Sequence, residues 1–181
     1  MCIFAVPKTL KIMNADNNAE LFPAVDPEGN TTGCITRGHA HDGSLILHPV
    51  VHVHVFNSKG ELYLQHRPSW KPIQPDKWDT ACGGHIEYGE SVPQAMAREV
   101  REELGIENLP QVEPLGKYVF ESKVERELVY AFRVTYDGPV SPSAEELDGG
   151  RFWTMQELAG AIGQGILTPN LESEVQRWFL G

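Results

Sequence analysis

Cysteine is rare in this chain: Cys2, Cys34 and Cys82 are the three present among 181 residues, with no CxxC spacing. An odd, scattered set of this kind excludes a disulfide-framed small domain and a thiolate metal ribbon. Long apolar runs are missing as well. Nothing approaches the ~20 residues needed to span a bilayer, and the MCIFAV start lacks the basic region and long apolar region of a signal peptide. The cytoplasm is therefore the expected compartment. Positive charge is also in short supply, 15 Lys and Arg against 25 Asp and Glu, leaving a formal charge of -10. Nucleic acid and anionic membranes would be repelled and are not expected as partners. Any small anionic ligand must be met by local cations. Internal repeats and low-complexity tracts are absent too.

What remains, 41% apolar and 22% charged residues, suits one domain over residues 1–181 with a core of its own. Its most informative stretch is GHIEYGESVPQAMAREVREELGI, Gly84 to Ile106. Ser91 and Gln94 form a capping box, Pro93 sits in the first turn and Gly105 supplies the stop, so a helix is expected over Val92 to Leu104. At about 100° per residue, Ala97, Val100 and Leu104 make a core stripe, while Glu99, Glu102 and Glu103 share an adjoining arc. Glu99 and Glu103 are a like-charge i,i+4 pair, destabilising by roughly 0.2–0.5 kcal/mol, and Glu102 and Glu103 sit at the negative end of the helix dipole. A divalent cation reverses both penalties. The plainer alternative is a solvated face supported by an Arg98–Glu102 pair.

The flanking residues decide between them. Gly84, Glu90, Arg98-Glu99, Val100, Glu102-Glu103, Gly105 and Ile106 match the spacing of the 23-residue Nudix box, and the chain resembles a Nudix hydrolase. That resemblance implies an α+β fold in which a mixed β-sheet is sandwiched between helices (α/β/α). It also implies Mg²⁺- or Mn²⁺-dependent cleavage of a nucleoside diphosphate derivative or a related small diphosphate. Glu99, Glu102 and Glu103 would ligate metal with the Gly84 carbonyl, and Arg98 and Glu90 would orient them.

Elsewhere, Leu21 to Arg37 reads as two short strands turning at Pro27 to Asn30, an N-terminal hairpin extension ending near residue 36. PVVHVHVF, followed by a turn at Asn57 to Gly60, reads as a second hairpin, with Val51, Val53 and Val55 on one face and His52 and His54 on the other. For these two histidines a structural or half-exposed place is expected. The proline-rich loop over residues 68–80 carries Lys71 and Lys77 and follows Arg67, giving local positive charge suited to a diphosphate. A third hairpin spans residues 114–136. An acidic loop, residues 137–150, is a candidate for a base-bearing lid through Glu145 or Glu146. A short strand and two helices close the chain, the last capped by Thr168 or Asn170.

From about Asn30 to Phe132 the chain is also similar to type I isopentenyl-diphosphate isomerase. That resemblance implies a metal site of His41, His48, His85, Glu125 and Glu127, and a diphosphate held by Arg37, Arg67 and Lys71. Imidazole with carboxylate suits Mn²⁺, Zn²⁺ or Fe²⁺, whereas carboxylates alone suit Mg²⁺, so a second divalent transition metal is conceivable beside the first. One departure is specific: the isomerase carries a proton-transferring cysteine two residues before the histidine matched by His85, and here that place is Gly83. Neighbouring residues of a strand face opposite ways, so Cys82 does not substitute. The expectation is a metal-dependent diphosphohydrolase with Glu127 or Glu125 as base. The alternatives are an isopentenyl-diphosphate isomerase-like enzyme or a non-catalytic diphosphate sensor, and association into a homodimer stays open.

Overall fold

The computed structural model describes residues 17–71, 73–144 and 147–181. Two strands, β1 (Leu21–Val25) and β2 (Thr31–Thr36), form the N-terminal hairpin, and a single helical turn, α1 (Arg37–Ala40), follows it. Asp26 holds the turn between them by accepting from the Asn30 N–H at 2.8 Å. The expected hairpin is therefore present, with its turn where Pro and Gly put it.

The main sheet is built around β3 (Leu47–Phe56). On one side β3 runs parallel to β8 (Arg126–Thr135), which pairs with β7 (Val112–Glu121). On the other it is shared between β4 (Leu62–His66), which joins at Phe56, and β6 (Cys82–His85), which runs antiparallel beside Val50 to Val53. Strands β5 (Trp78–Thr80) and β9 (Gly150–Trp153) both pair with β4.

Helices cover both faces. Helix α2 (Val92–Leu104) lies over Val51, Val53 and Val55, with Met96, Val100 and Leu104 completing one core. Its bounds are those that the capping box and Gly105 require, and Gly105 takes the left-handed φ of 67°. One detail differs: Ala97 is exposed, and Ala95 and Met96 are buried instead. The longer Met96 side chain centres the apolar stripe one residue earlier, which turns Glu99 and Glu103 toward the sheet.

Helices α3 (Met155–Ala161) and α4 (Pro169–Trp178) close the opposite face over Phe56, Leu62, Leu64 and Trp153. Thr168 caps α4, accepting from the Leu171 N–H at 3.3 Å. Because β3 is central and covered on both sides, all ten of its residues are buried. His52 and His54 are thus fully structural neighbours of α4, not half-exposed. Among the described residues, no helix is long and apolar enough to cross a membrane.

Candidate metal and diphosphate site

The short strand β6 divides the candidate residues between two faces. Cys82 and Gly84 face α2, while Gly83 and His85 face the other way. A Cβ on Gly84 would run into the Glu99 carboxyl group, so only glycine lets this glutamate lie against the strand backbone. Glu103 reaches the next peptide, its Oε2 accepting from the Gly83 N–H at 3.3 Å. The buried Cys82 thiol is raised well above its ordinary value by burial and by the charges of Glu103 and Glu99. It therefore stays protonated on the α2 side.

Arg98 organises these carboxylates. Its guanidinium donates to Glu90 Oε1 at 2.9 Å and Oε2 at 2.8 Å, to Glu99 Oε1 at 2.6 Å and to the His85 carbonyl at 2.9 Å, and lies 3.5 Å from Glu102 Oε2. The pairing outweighs burial and keeps Arg98 more firmly protonated than a free guanidinium. Glu99, Glu102 and Glu103 are thus held along one side of α2 by protein donors and not drawn into a ring.

On the opposite face His41, His48 and His85 bring one nitrogen each to within 4.8 Å of one another. Their tautomers follow from their partners. His41 Nδ1 is 2.8 Å from the Arg37 carbonyl and His48 Nδ1 2.9 Å from the Ile46 carbonyl. A carbonyl only accepts, so both Nδ1 atoms carry hydrogen and both Nε2 atoms present lone pairs. His48 Nε2 is buried with no hydrogen-bond partner among the described residues, which leaves its lone pair able to ligate. Arg37 Nη1 approaches His85 Nδ1 at 3.3 Å, which directs the His85 Nε2–H at His41 Nε2, 3.1 Å away. Ligation through His85 Nε2 requires that this proton leave.

Burial lowers the pKa of His48 to about 4 and that of His85 well below its ordinary value, so both rings are neutral, as metal ligands must be. Glu125 Oε2 lies 3.4 Å from His41 Nε2. Glu127 is placed beside His48 by the strand register and receives the Asn170 amide at 3.4 Å. Burial first, and the neighbouring Glu125 second, push the Glu127 carboxyl up to about 7. Nitrogen donors with two carboxylates fit a transition metal. The two candidate bases therefore sit with the histidines, on the face away from the α2 carboxylates.

The cation cluster is partly committed elsewhere. Arg37 borders the histidines, near Glu20 at 3.5 Å. Arg67 bonds Asp79 at 3.0 Å and the carbonyls of Gln74 and Ile73 at 3.2 and 2.9 Å, holding the loop before β5 together. Lys71 lies over the exposed Trp70 ring at 5.0 Å. Glu145 and Glu146, considered as bases on the acidic loop, lie outside the described residues.

Two participants were not singled out from the sequence. Phe22 of β1 stacks on His85 at 4.4 Å and on His48 at 6.0 Å, walling the cluster. Glu174 of α4 is fully buried and accepts from His52 Nδ1 at 2.9 Å, Tyr118 Oη at 2.8 Å and Thr80 Oγ at 3.2 Å. Its place at i+3 from Leu171 and one residue before Val175, on the apolar stripe of α4, was the signal that could have found it.

The NUDIX domain family model matches residues 46–178. The chain belongs to the Nudix family. An uncharacterized Nudix hydrolase of Pseudomonas aeruginosa is 34% identical over 138 residues, 76% of this chain and 80% of that one. An isopentenyl-diphosphate Delta-isomerase of Streptomyces avermitilis is 32% identical over 164 residues, covering 88% and 83%. Among solved structures, a Deinococcus radiodurans protein superposes with a TM-score of 0.75 at 24% identity, covering 88% of this chain and 99% of that one. A MutT protein of Methanosarcina mazei gives 0.64 at 25% identity, covering 73% and 92%. This Nudix fold therefore has relatives bearing both hydrolase and isomerase names. The match begins at residue 46, so Phe22, Arg37 and His41 come to the site from outside the matched region.

Proposed function

We propose that this Nudix protein is a metal-dependent diphosphohydrolase, cleaving the diphosphate linkage of a nucleoside diphosphate derivative or a related small diphosphate. The observation that carries the reading is the seating of Glu99 against the bare Gly84 backbone, with Arg98 fixing the carboxylate from behind. That arrangement suits a cation shared by Glu99, Glu102, Glu103 and the Gly84 carbonyl, Mg²⁺ or Mn²⁺ by the hardness of the donors. A second divalent metal belongs to His41, His48, His85, Glu125 and Glu127. Such cations would supply charge neutralisation of the diphosphate and a more acidic water. Glu127, buried and with its pKa raised to about 7, would be the residue placed to accept a proton from an attacking water. Arg37, Arg67 and Lys71 offer the local positive field that an acidic protein needs, Arg37 most directly.

The isomerase reading is favoured by the convergence of the three histidines and two glutamates. Against it stands Gly83, which has no side chain to carry a proton, with Cys82 turned to α2. Incubation of the protein with isopentenyl diphosphate and with a panel of nucleoside diphosphate derivatives, under Mg²⁺ and Mn²⁺, separates the two. Phosphate-cleavage products and no dimethylallyl diphosphate are expected. Efficient isomerisation lost in Cys82→Ser would overturn the hydrolase.

A further inference from the structure

The main sheet ends on β7, and among the described residues no strand pairs with its outer side. Its outer backbone donors and acceptors are therefore open to another chain. The first half of the strand is blunted in ways common on sheet edges. Pro114 removes a donor, and the register shift between Pro114 and Gly116 bends the strand. Beyond Glu121 the chain turns, the Ser122 N–H donating to the Glu125 carbonyl at 2.9 Å. What stays regular and unprotected is Lys117 to Glu121. Two exposed apolar side chains, Val119 and Val124, lie in that half or in its turn.

This segment, Lys117-Tyr118-Val119-Phe120-Glu121, has complementary chemistry read from either end: opposite charges outermost, an aromatic ring inside each, and Val at the centre. Antiparallel pairing with a second copy about Val119 sets Lys117 of each chain opposite Glu121 of the other and Val119 opposite itself. Alternation puts these on one face, and on the other face Tyr118 of each copy lies opposite Phe120 of its partner. Opposite-charge and aromatic pairs are the favourable cross-strand neighbours. Moving the two-fold axis by one residue sets Lys117 or Glu121 against Val119. Moving it by two sets Lys117 or Glu121 against its own copy, so like charges meet. One register satisfies the whole segment.

We infer that the protein self-associates through β7, two copies joining their sheets antiparallel about Val119 with Lys117 of each paired to Glu121 of the other. The contacts these residues make within one chain leave room for it. Lys117 gives one of its three N–H groups to the Glu28 carbonyl, and Glu121 gives one oxygen to Arg126 at 3.2 Å in an exposed pair. A plain solvated edge explains less. It accounts for Lys117, a residue that blunts edges, but not for an exposed Val119 midway between opposite charges. The overall charge of -10 opposes association, and the two ion pairs offset it where the copies meet. A contact of this length is short beside the roughly 20–30 residues a side of a standard stable complex, so dimer and monomer exchange.

Sedimentation velocity of the full chain, from micromolar to near-millimolar concentration, tests this. The weight-average mass of wild type is expected to rise from one chain toward two. Lys117→Glu alone and Glu121→Lys alone should each stay monomeric, because the two-fold axis then sets like charges opposite one another twice. Mixed in equal amounts, the two variants should dimerise again, since each altered charge meets its opposite on the other variant. Should either variant fold poorly by circular dichroism, hydrogen exchange of wild type reads the same contact. The amides of residues 117–121 that point away from β8 should exchange more slowly in concentrated than in dilute protein. A wild type that stays monomeric throughout, single variants that dimerise as it does, or a mixture that stays monomeric would each overturn the proposal. Edge amides whose exchange ignores concentration would do the same.

Discussion

Arg98 shows what one residue contributes. A lysine there keeps the charge but cannot bridge Glu90, Glu99 and the His85 carbonyl together, because those contacts use the guanidinium fork from three directions. Arg98→Lys is expected to cut turnover at least about tenfold while leaving charge count unchanged, costing on the order of 1–3 kcal/mol in stability for the unpaired buried acceptors; steady-state kinetics and urea unfolding check this. Glu103→Gln works the other way. The Gln oxygen still accepts from the Gly83 N–H, and a like-charge pair with Glu99 disappears, so the fold should hold or gain roughly 0.2–0.5 kcal/mol while turnover is lost. Retained wild-type hydrolysis in Glu103→Gln would remove the α2 carboxylates from the chemistry. For the second cluster, His48→Ala should release one equivalent of Mn, Zn or Fe by elemental analysis. If supplemented wild-type protein carries none of these, the histidines are structural.

At the scale of elements, the contact between β3 and α4 depends on pH. The groups facing His52 are Glu174 of α4, Glu127 of β8, Asp79 of β5, Tyr118 of β7 and His54 of its own strand. The His52 pKa is raised in the folded state, from 6.5 to about 9, so its stabilisation is complete below 6.5 and is lost as pH rises through about 9. Glu174 is shifted down: burial opposes ionisation, but the His52 and His54 charges prevail. Its contribution is present above 4.5 and lost in acid. The melting temperature of wild type should therefore fall between pH 6.5 and 9 more than that of His52→Gln, read by circular dichroism. An equal slope in both proteins would mean that the pair is not charged.

The elements also show which features could be read from residues in order. Helix α2 was legible at both ends because its signals are local, Ser91 and Gln94 at one end and Gly105 at the other. The Pro27 to Asn30 turn was local in the same way. The His face of β3 was expected to be structural or half-exposed, and what makes it buried and structural is non-local. Whether a strand's second face meets water depends on what packs there, and here it is α4, with Glu174 lying 122 residues beyond His52. Arg67 was read as local positive charge, and its bonds to Asp79 and to the carbonyls of Gln74 and Ile73 could not be read from the sequence because they are offered only once the loop closes. The candidate metal ligands were reached through resemblance. Spacing alone does not reveal that β6 separates them from the α2 carboxylates.

At the scale of the whole molecule, the cluster depends on one alignment. Ten rungs of parallel pairing run from Leu47 opposite Arg126 to Phe56 opposite Thr135, and one of them sets His48 opposite Glu127. Parallel pairing between strands so far apart in sequence closes a long loop before it is rewarded, and such contacts form slowly. Recovery of metal binding after dilution from denaturant should therefore lag the recovery of helical circular dichroism. Sliding β8 by a single residue would turn Glu127 to the α2 side. A chain trapped one rung out of step would keep its helices and hairpins yet lose the proposed site, so a metal held there would act as a proofreader of folding, retained only by molecules whose two central strands have met in step.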